Sequence, residues 1–228
     1  MERAAQTYQD HSRAIWTLGM PLILSNLAQF AIHITDTIML GWYDVTALAA
    51  SVIAGTMFFV VMIVGAGFAQ AVTPLVAAAA EENDDVQVRR VTRMGLWLSI
   101  IYGLAVTIPF FWAEDILSAI GQDPDVAALA HIYLQIVIWQ MVPALMVWTL
   151  KAFLAAMEHT AIILWATLGA AALNGLINYA LIFGNLGFPE LGIKGAAIAS
   201  LSVNLVSVLI LVLYIQRNLP LFQLFKSF

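Results

Sequence analysis

Asp36 is an acidic residue inside a long apolar stretch, where a carboxylate is costly unless it has a use. Asn26, Gln29 and His33 precede it at spacings of three, four and three, so all four would lie along one side of an α-helix. An Asp at the centre of a membrane-spanning helix costs roughly 2.5–3.5 kcal/mol, which favours an orientation toward a bundle interior or water. We therefore interpret Asp36 as a functional group, and Asn26, Gln29 and His33 as candidate cavity-lining or relay residues.

The chemistry open to such a group is limited. A buried carboxyl group with amide neighbours can bind a monovalent cation through oxygen ligands, or it can take up and release a proton. Both uses are typical of ion-coupled transport. For His33, a relay to Asp36 and a hydrogen-bonded interior histidine are alternatives that the spacing leaves open.

Two later segments carry similar polar patterns. Asn174 and Asn178 are four residues apart and would share a helical face, and Ser200, Asn204 and Ser207 follow at spacings of four and three. Interhelical hydrogen bonds, worth about 0.6–2 kcal/mol each in membrane bundles, are the simpler explanation for the second pattern. For Asn174 and Asn178, packing and ligand binding both stay open at this point.

The composition places these residues in a membrane protein. Of the 228 residues, 62% are hydrophobic and 10% are charged, with a mean hydropathy of +0.91, whereas soluble domains carry about 25% charged residues. Six apolar segments are each long enough to cross a hydrocarbon core of about 30 Å as a helix. The sequence therefore predicts an all-α integral membrane protein with six transmembrane helices, at residues 14–41, 46–80, 91–112, 126–156, 160–183 and 193–216.

The distribution of charge predicts the orientation. Six crossings put both ends of the chain on one side of the membrane, and Lys194 is the only basic residue expected on the other side. The positive-inside rule then predicts cytoplasmic termini, with residues 1–13 and 217–228 as cytoplasmic segments. The basic residues on the terminal side are Arg3, Arg13, Arg89, Arg90, Arg93, Lys151, Arg217 and Lys226.

Several classes of function lack their sequence features. The chain has no cysteine, so disulfides, thiolate metal sites and cysteine nucleophiles are excluded. It contains no HExxH, GxSxG or Walker A motif and no basic patch suited to nucleic acid. We therefore predict that the chain is not an enzyme, has no cofactor, binds no nucleic acid, and holds no metal beyond a Na⁺ ion at Asp36. Its expected surroundings are membrane lipid.

Several stretches resemble the multidrug and toxic compound extrusion (MATE) transporter family. GMPLILSNLAQFAIHITDTIMLG resembles its first helix, through Pro21, Asn26, Asp36 and Gly41. GAGFAQAVTPLVAAA resembles the second helix, FLAAMEHT the connection between the fourth and fifth, and NGLINYALIFGNLGFPELGIKGAAIAS the fifth and sixth. Position 178 is asparagine here, whereas another branch of the family has aspartate at this position. In this respect the chain resembles the NorM-like branch.

The resemblance implies a fold and a function. The fold is one six-helix lobe, or half, of a twelve-helix transporter, with residues 217–228 as the connector toward a second lobe. The function is efflux of organic cations and hydrophobic drugs across the inner membrane by alternating access, coupled to Na⁺ or H⁺ antiport. Asp36, Asn174 and Asn178 match the cation- or proton-binding residues, and the cavity is expected between the first, second, fourth and fifth segments.

The sequence leaves several alternatives open. A flippase for lipid-linked saccharides belongs to the same superfamily, and a non-transporting membrane scaffold subunit would explain the short chain. The coupling ion is Na⁺ or H⁺. The second lobe is either a C-terminal half missing from this chain or another copy.

Overall fold

Six membrane spans form the described part of the protein, as the sequence predicts. The computed structural model describes residues 15–222 and 224, and the predicted segment 1–13 and residues 223 and 225–228 of the predicted connector lie outside them. We number the spans one to six, and we call the side where span one begins and span six ends the terminal side. The helices long and apolar enough to cross a membrane are Ile15–Tyr43, Val45–Glu81, Asp85–Phe110, Pro124–Ala156, Thr160–Ile182 and Ile193–Asn218.

Two of these spans are not continuous α-helices. Span one begins with a π-helical turn, Ile15–Gly19, and continues as the α-helix Met20–Tyr43. Span four consists of two α-helices, Pro124–Val137 and Met141–Ala156, joined by the 3₁₀ turn Ile138–Gln140. Pro143 explains this turn, because its ring has no N–H to donate and crowds the carbonyl four residues earlier.

Span three differs most from its predicted bounds. It begins at Asp85, six residues before the predicted position 91, because the Asp84 side chain accepts a hydrogen bond of 2.9 Å from the backbone N–H of Gln87 and caps the helix. Arg89 and Arg90 therefore lie within the first turns of the helix rather than in a connector. The apolar run marks the membrane-crossing part of a helix, whereas the capping residue marks its end.

Two short helical elements also occur in the described part of the chain. The helix Ala113–Ala119 lies between spans three and four, and the 3₁₀ turn Pro220–Phe222 follows span six. Phe222 packs edge-to-face on Phe153 of span four, with ring centroids 5.8 Å apart. The chain after span six therefore folds back onto the terminal side of the bundle.

The spans pack as two groups of three. Spans two, three and four pack against one another, spans one, five and six form the second group, and spans four and six join the groups. Small residues allow close approach in the first group. A Cβ atom on Gly95 would lie 2.7 Å from a methyl group of Val72, and one on Gly103 would lie 2.7 Å from a methyl group of Val142. The outward side chains are apolar, among them Ile63, as expected for a multi-pass membrane protein.

Spans five and six meet through their backbones. A Cβ atom on Gly195, in the first turn of span six, would lie 2.6 Å from the carbonyl carbon and oxygen of Leu181 near the end of span five. Only glycine permits this separation. The contact fixes the start of span six beside the segment of span five that carries Asn178.

Candidate functional site

Three polar residues predicted as a site come together between spans one and five. Asn178 Nδ2 donates hydrogen bonds to Asp36 Oδ1 at 2.5 Å and to Asn174 Oδ1 at 3.2 Å. Asn174 and Asn178 have no solvent exposure, and Asp36 is partly buried. The structure thus places Asp36, Asn174 and Asn178 in one hydrogen-bonded cluster.

The packing of spans one and five sets the register of this cluster. Toward the terminal side, Ser25 Oγ on span one lies 3.1 Å from Thr167 Oγ1 on span five. Ile32 and Ala170 form an apolar contact between that pair and the Asp36 cluster. Two polar contacts with an apolar contact between them hold the spans in one alignment, because a shift along the axis would separate buried polar groups.

Two atoms of the cluster have unused hydrogen-bonding capacity. Asn174 Nδ2 and Asn178 Oδ1 are buried and have no hydrogen-bond partner in the described residues. An unsatisfied buried polar group costs about 1–3 kcal/mol. Asn178 Oδ1 and the Asp36 carboxylate are oxygen ligands of the kind that hard cations prefer, and the carboxylate can alternatively accept a proton.

The cluster opens into a cavity of about 660 Å³. Spans one, two, four, five and six all contribute to its wall, so span six joins the four spans that we expected from the family resemblance. Tyr133 and Ser200 lie near Asp36 at the same end. The polar lining residues in the described part are Gln29, His33, Asp36, Thr37, Ser51, Thr56, Tyr133, Gln140, Lys151, Thr167, Asn174, Ser200, Asn204 and Ser207.

The polar stripe of span one lines the cavity only in part. Gln29 and His33 belong to the lining, whereas Asn26 is exposed and lies outside it. Asn26 points within about 20° of His33, seven residues later on the same helix. Its place outside the lining therefore reflects its position on span one, one turn closer to the terminal side than Gln29, and not the direction of its side chain. Our prediction that all four residues line the cavity is therefore corrected for Asn26.

His33 lies close to Asp36 but is not hydrogen-bonded to it in the described structure. Its backbone oxygen accepts a hydrogen bond of 2.8 Å from Thr37. The ring lines the cavity, and a relay role for His33 stays a prediction.

Sequence reasoning missed several residues of the cavity wall. We placed Lys151 at the terminal end of span four and favoured packing for Ser200, Asn204 and Ser207, yet all four line the cavity. Packing is part of the role of Asn204, whose Nδ2 donates to Gln140 Oε1 at 3.4 Å. A pattern in the sequence could have identified the wall formed by span four. Residues spaced three or four apart share one face of this helix, and they are Tyr133, Val137, Gln140, Ala144, Trp148 and Lys151.

Comparison with known proteins decides the family. The sequence model described as MatE matches residues 21–180, which include the whole Asp36 cluster. The chain belongs to the MatE family. The chain is 45% identical over its full length to the probable multidrug resistance protein NorM of Rhizobium meliloti, of which it covers 49%. It is 43% identical over 92% of its length to a protein of the same name in Agrobacterium fabrum, of which it covers 45%.

Solved structures of MatE-type transporters share the fold. A MOP superfamily transporter from Pyrococcus furiosus matches 90% of this chain with a TM-score of 0.80 and 22% identity, and 45% of that protein is covered. The eukaryotic MATE transporter AtDTX14 matches 90% of the chain with a TM-score of 0.81 and 22% identity, also over 45% of its length. The predicted fold class is confirmed, and the chain spans about half the length of these relatives. Proteins of this family are named as transporters, in agreement with our prediction that the chain is not an enzyme.

Proposed function

We propose that this chain is the N-terminal lobe of an ion-coupled exporter of organic cations and hydrophobic drugs. In this proposal, Asp36, Asn174 and Asn178 bind the coupling Na⁺ or H⁺, and the adjoining cavity receives the drug. The observation that carries the proposal is the hydrogen bond from Asn178 to Asp36 at the edge of a cavity of about 660 Å³. The relatives named as multidrug resistance proteins support the substrate class.

The chemistry of the cluster suits reversible ion binding. The Asp36 carboxylate carries a negative charge when ionised, and the neutral amides of Asn174 and Asn178 can orient it without cancelling that charge. Asn178 Oδ1 has no protein partner in the described region and can serve as a further ligand. Na⁺ binding would therefore satisfy the Asn178 Oδ1 acceptor, which the protein alone leaves unsatisfied.

The proposal includes an orientation and a second lobe. Both termini of the chain face the cytoplasm, by the positive-inside rule, and the protein resides in the inner membrane. The second lobe faces this one across the cavity, and is either a C-terminal half or another copy. The length of the chain, about half that of its relatives, supports this arrangement.

The decisive experiment is Asp36→Asn in the complete protein, measured as efflux of a fluorescent organic cation from energised membrane vesicles. Asn is nearly the same size as Asp but cannot carry a negative charge, so we expect ion-driven efflux to be lost while the protein still folds. Asp44→Asn is the matched control, because Asp44 caps span two outside the cavity. Efflux by Asp36→Asn at the unmodified rate would remove Asp36 from the mechanism.

A second measurement identifies the coupling ion. Vesicles carrying the unmodified protein receive either a Na⁺ gradient at constant pH or a pH gradient without Na⁺. The gradient that alone supports efflux identifies the ion. Efflux that needs neither gradient would contradict antiport.

A further inference from the structure

Lys151 places a basic group in the wall of the cavity, away from the Asp36 cluster. Its ammonium group donates a hydrogen bond of 2.9 Å to Thr167 Oγ1. An ammonium group has three N–H donors, and this bond uses one of them. Among the described lining residues, Lys151 is the only lysine or arginine and Asp36 the only acidic residue.

Thr167 positions this ammonium group without neutralising it. The Thr167 hydroxyl donates to the backbone oxygen of Ile163 at 2.7 Å, so its oxygen is left to accept from Lys151 and from Ser25 Oγ at 3.1 Å. The three side chains link spans four, five and one. Since every partner is neutral, the positive charge of Lys151 has no counter-charge in this network.

The Asp36 cluster is too distant to supply that counter-charge. Thr167, which contacts Lys151, and Asn178, which contacts Asp36, are eleven positions apart on span five, or about 16 Å at 1.5 Å per residue. No ion pair involving Lys151 is found in the described structure. A charged group in a membrane span that lacks a protein counter-charge is a candidate for binding a charged ligand.

The wall beside Lys151 suits an aromatic or aliphatic body. Trp148 lies three residues earlier on span four, and Val147 four residues earlier, so both share the face of Lys151, and both line the cavity. A flat apolar surface next to an ammonium group matches a molecule that has an apolar ring system and one negative charge.

We propose that Lys151 forms an anion-binding subsite that holds the carboxylate of an amphipathic molecule, whose apolar body lies against Trp148. The subsite lies in the cavity of the proposed exporter. Binding of the anion does not depend on that proposed function, whereas a role of the subsite in transport does. Its ligand chemistry differs from that of the cation- or proton-binding cluster at Asp36. The same cavity would then accept a positive charge at one end and a negative charge at the other.

The test compares two fluorescent probes that differ in one charge. Dansylglycine carries a carboxylate, and dansylglycinamide replaces it with a neutral amide. Binding of each to the complete protein in lipid nanodiscs is followed by the rise in dansyl fluorescence, without an ion gradient. We expect the unmodified protein to bind dansylglycine about tenfold more tightly, as a charge-assisted hydrogen bond implies.

Variants separate charge recognition from packing. Lys151→Gln keeps a donor for Thr167 but removes the charge, so both probes should bind with equal affinity. Lys151→Arg should retain the preference for the carboxylate, and Lys194→Gln, on an exposed residue outside this cavity, should leave it unchanged. If Lys151 had a purely structural role, Lys151→Gln would weaken the binding of both probes by the same factor.

Two outcomes would overturn the subsite. One is equal binding of both probes to the unmodified protein, and the other is a carboxylate preference that survives in Lys151→Gln. These measurements involve no transport. A negative result for the subsite would therefore not contradict the proposed role of Asp36 in ion-driven efflux. Conversely, normal efflux by Asp36→Asn would contradict the proposed function without affecting the probe preference.

Discussion

Asn178 on span five donates a hydrogen bond to Asp36 on span one, although the two residues are 142 positions apart in the sequence. The same amide nitrogen also donates to Asn174, one helical turn away. Both N–H groups of the Asn178 side-chain amide are therefore used in hydrogen bonds to these two acceptors. This arrangement fixes the carboxylate relative to span five and makes Asn178 the residue that positions the proposed ion site.

Replacing Asn178 should weaken Na⁺ binding more than it weakens the fold. In Asn178→Ala, Asp36 loses the donor that orients it and the site loses the Asn178 Oδ1 ligand, so the Na⁺ concentration for half-maximal efflux should rise about tenfold, as the loss of roughly 1.4 kcal/mol implies. The measurement is efflux in vesicles over a range of Na⁺ concentration at constant pH. Asn185→Ala, in the connector between spans five and six and outside the cavity, should behave as the unmodified protein. Equal ion dependence in both variants would contradict the prediction.

A bulky residue at Gly55 should fill the cavity. Gly55 on span two lines the cavity, and a Cβ atom there would have no neighbour within 4 Å. Gly55→Phe should therefore reduce binding and efflux of an organic cation such as ethidium without lowering the temperature of thermal unfolding. Gly67→Phe is the control on the same span, because Gly67 is exposed, equally open and outside the cavity. If both variants export at the same rate, this cavity is not the drug site.

Gly195 should be intolerant of even a methyl group. The added Cβ atom of Gly195→Ala would lie 2.6 Å from backbone atoms of Leu181, which cannot move without shifting span five. We expect destabilisation by about 1–3 kcal/mol, typical of overpacking, measured as thermal unfolding by circular dichroism in detergent. Gly169→Ala, where the methyl group meets open space on span five, should be neutral or stabilising by up to about 1 kcal/mol. Equal unfolding temperatures would show that the spans can separate at little cost.

The hydrogen bond between His159 and Tyr214 should contribute to stability on the terminal side. His159 Nδ1 lies 2.9 Å from the Tyr214 hydroxyl, and the two rings also meet edge-to-face. Tyr214→Phe removes only the hydroxyl and should cost about 0.5–1.5 kcal/mol, measured by the same unfolding assay. Tyr179→Phe should have no effect, since Tyr179 is exposed and no hydrogen bond of its hydroxyl is found in the described structure. A stable Tyr214→Phe variant would assign the contact to ring packing alone.

The sequence predicted the spans well because long apolar runs have few alternatives. A helix is the only way for one isolated segment to satisfy its backbone in lipid, so apolar length alone located six spans. The ends were less certain, as span three shows. Its start depends on the capping bond of Asp84 to Gln87, and the apolar pattern does not extend to that position.

The candidate site was predictable to the extent that it depends on one helix. Spacing grouped Asn174 with Asn178 and set Gln29, His33 and Asp36 on one side of span one. Which faces meet is decided by contacts between spans, such as Ser25 with Thr167, and a periodicity within one helix carries no information about them. For this reason Asn26 was assigned to the cavity lining and the inward position of Lys151 was missed.

The cavity also has a thermodynamic consequence through the water it can hold. At about 30 Å³ per molecule in the liquid, its volume of about 660 Å³ has room for on the order of twenty waters. In the proposed function, a drug that enters must displace most of them, many from apolar walls formed by residues such as Phe58 and Trp148. Burial of apolar surface gives a negative heat-capacity change, so drug binding should change from entropy-driven to enthalpy-driven as the temperature rises. The proposed exporter would then select its cargo partly by the solvent that the cargo releases.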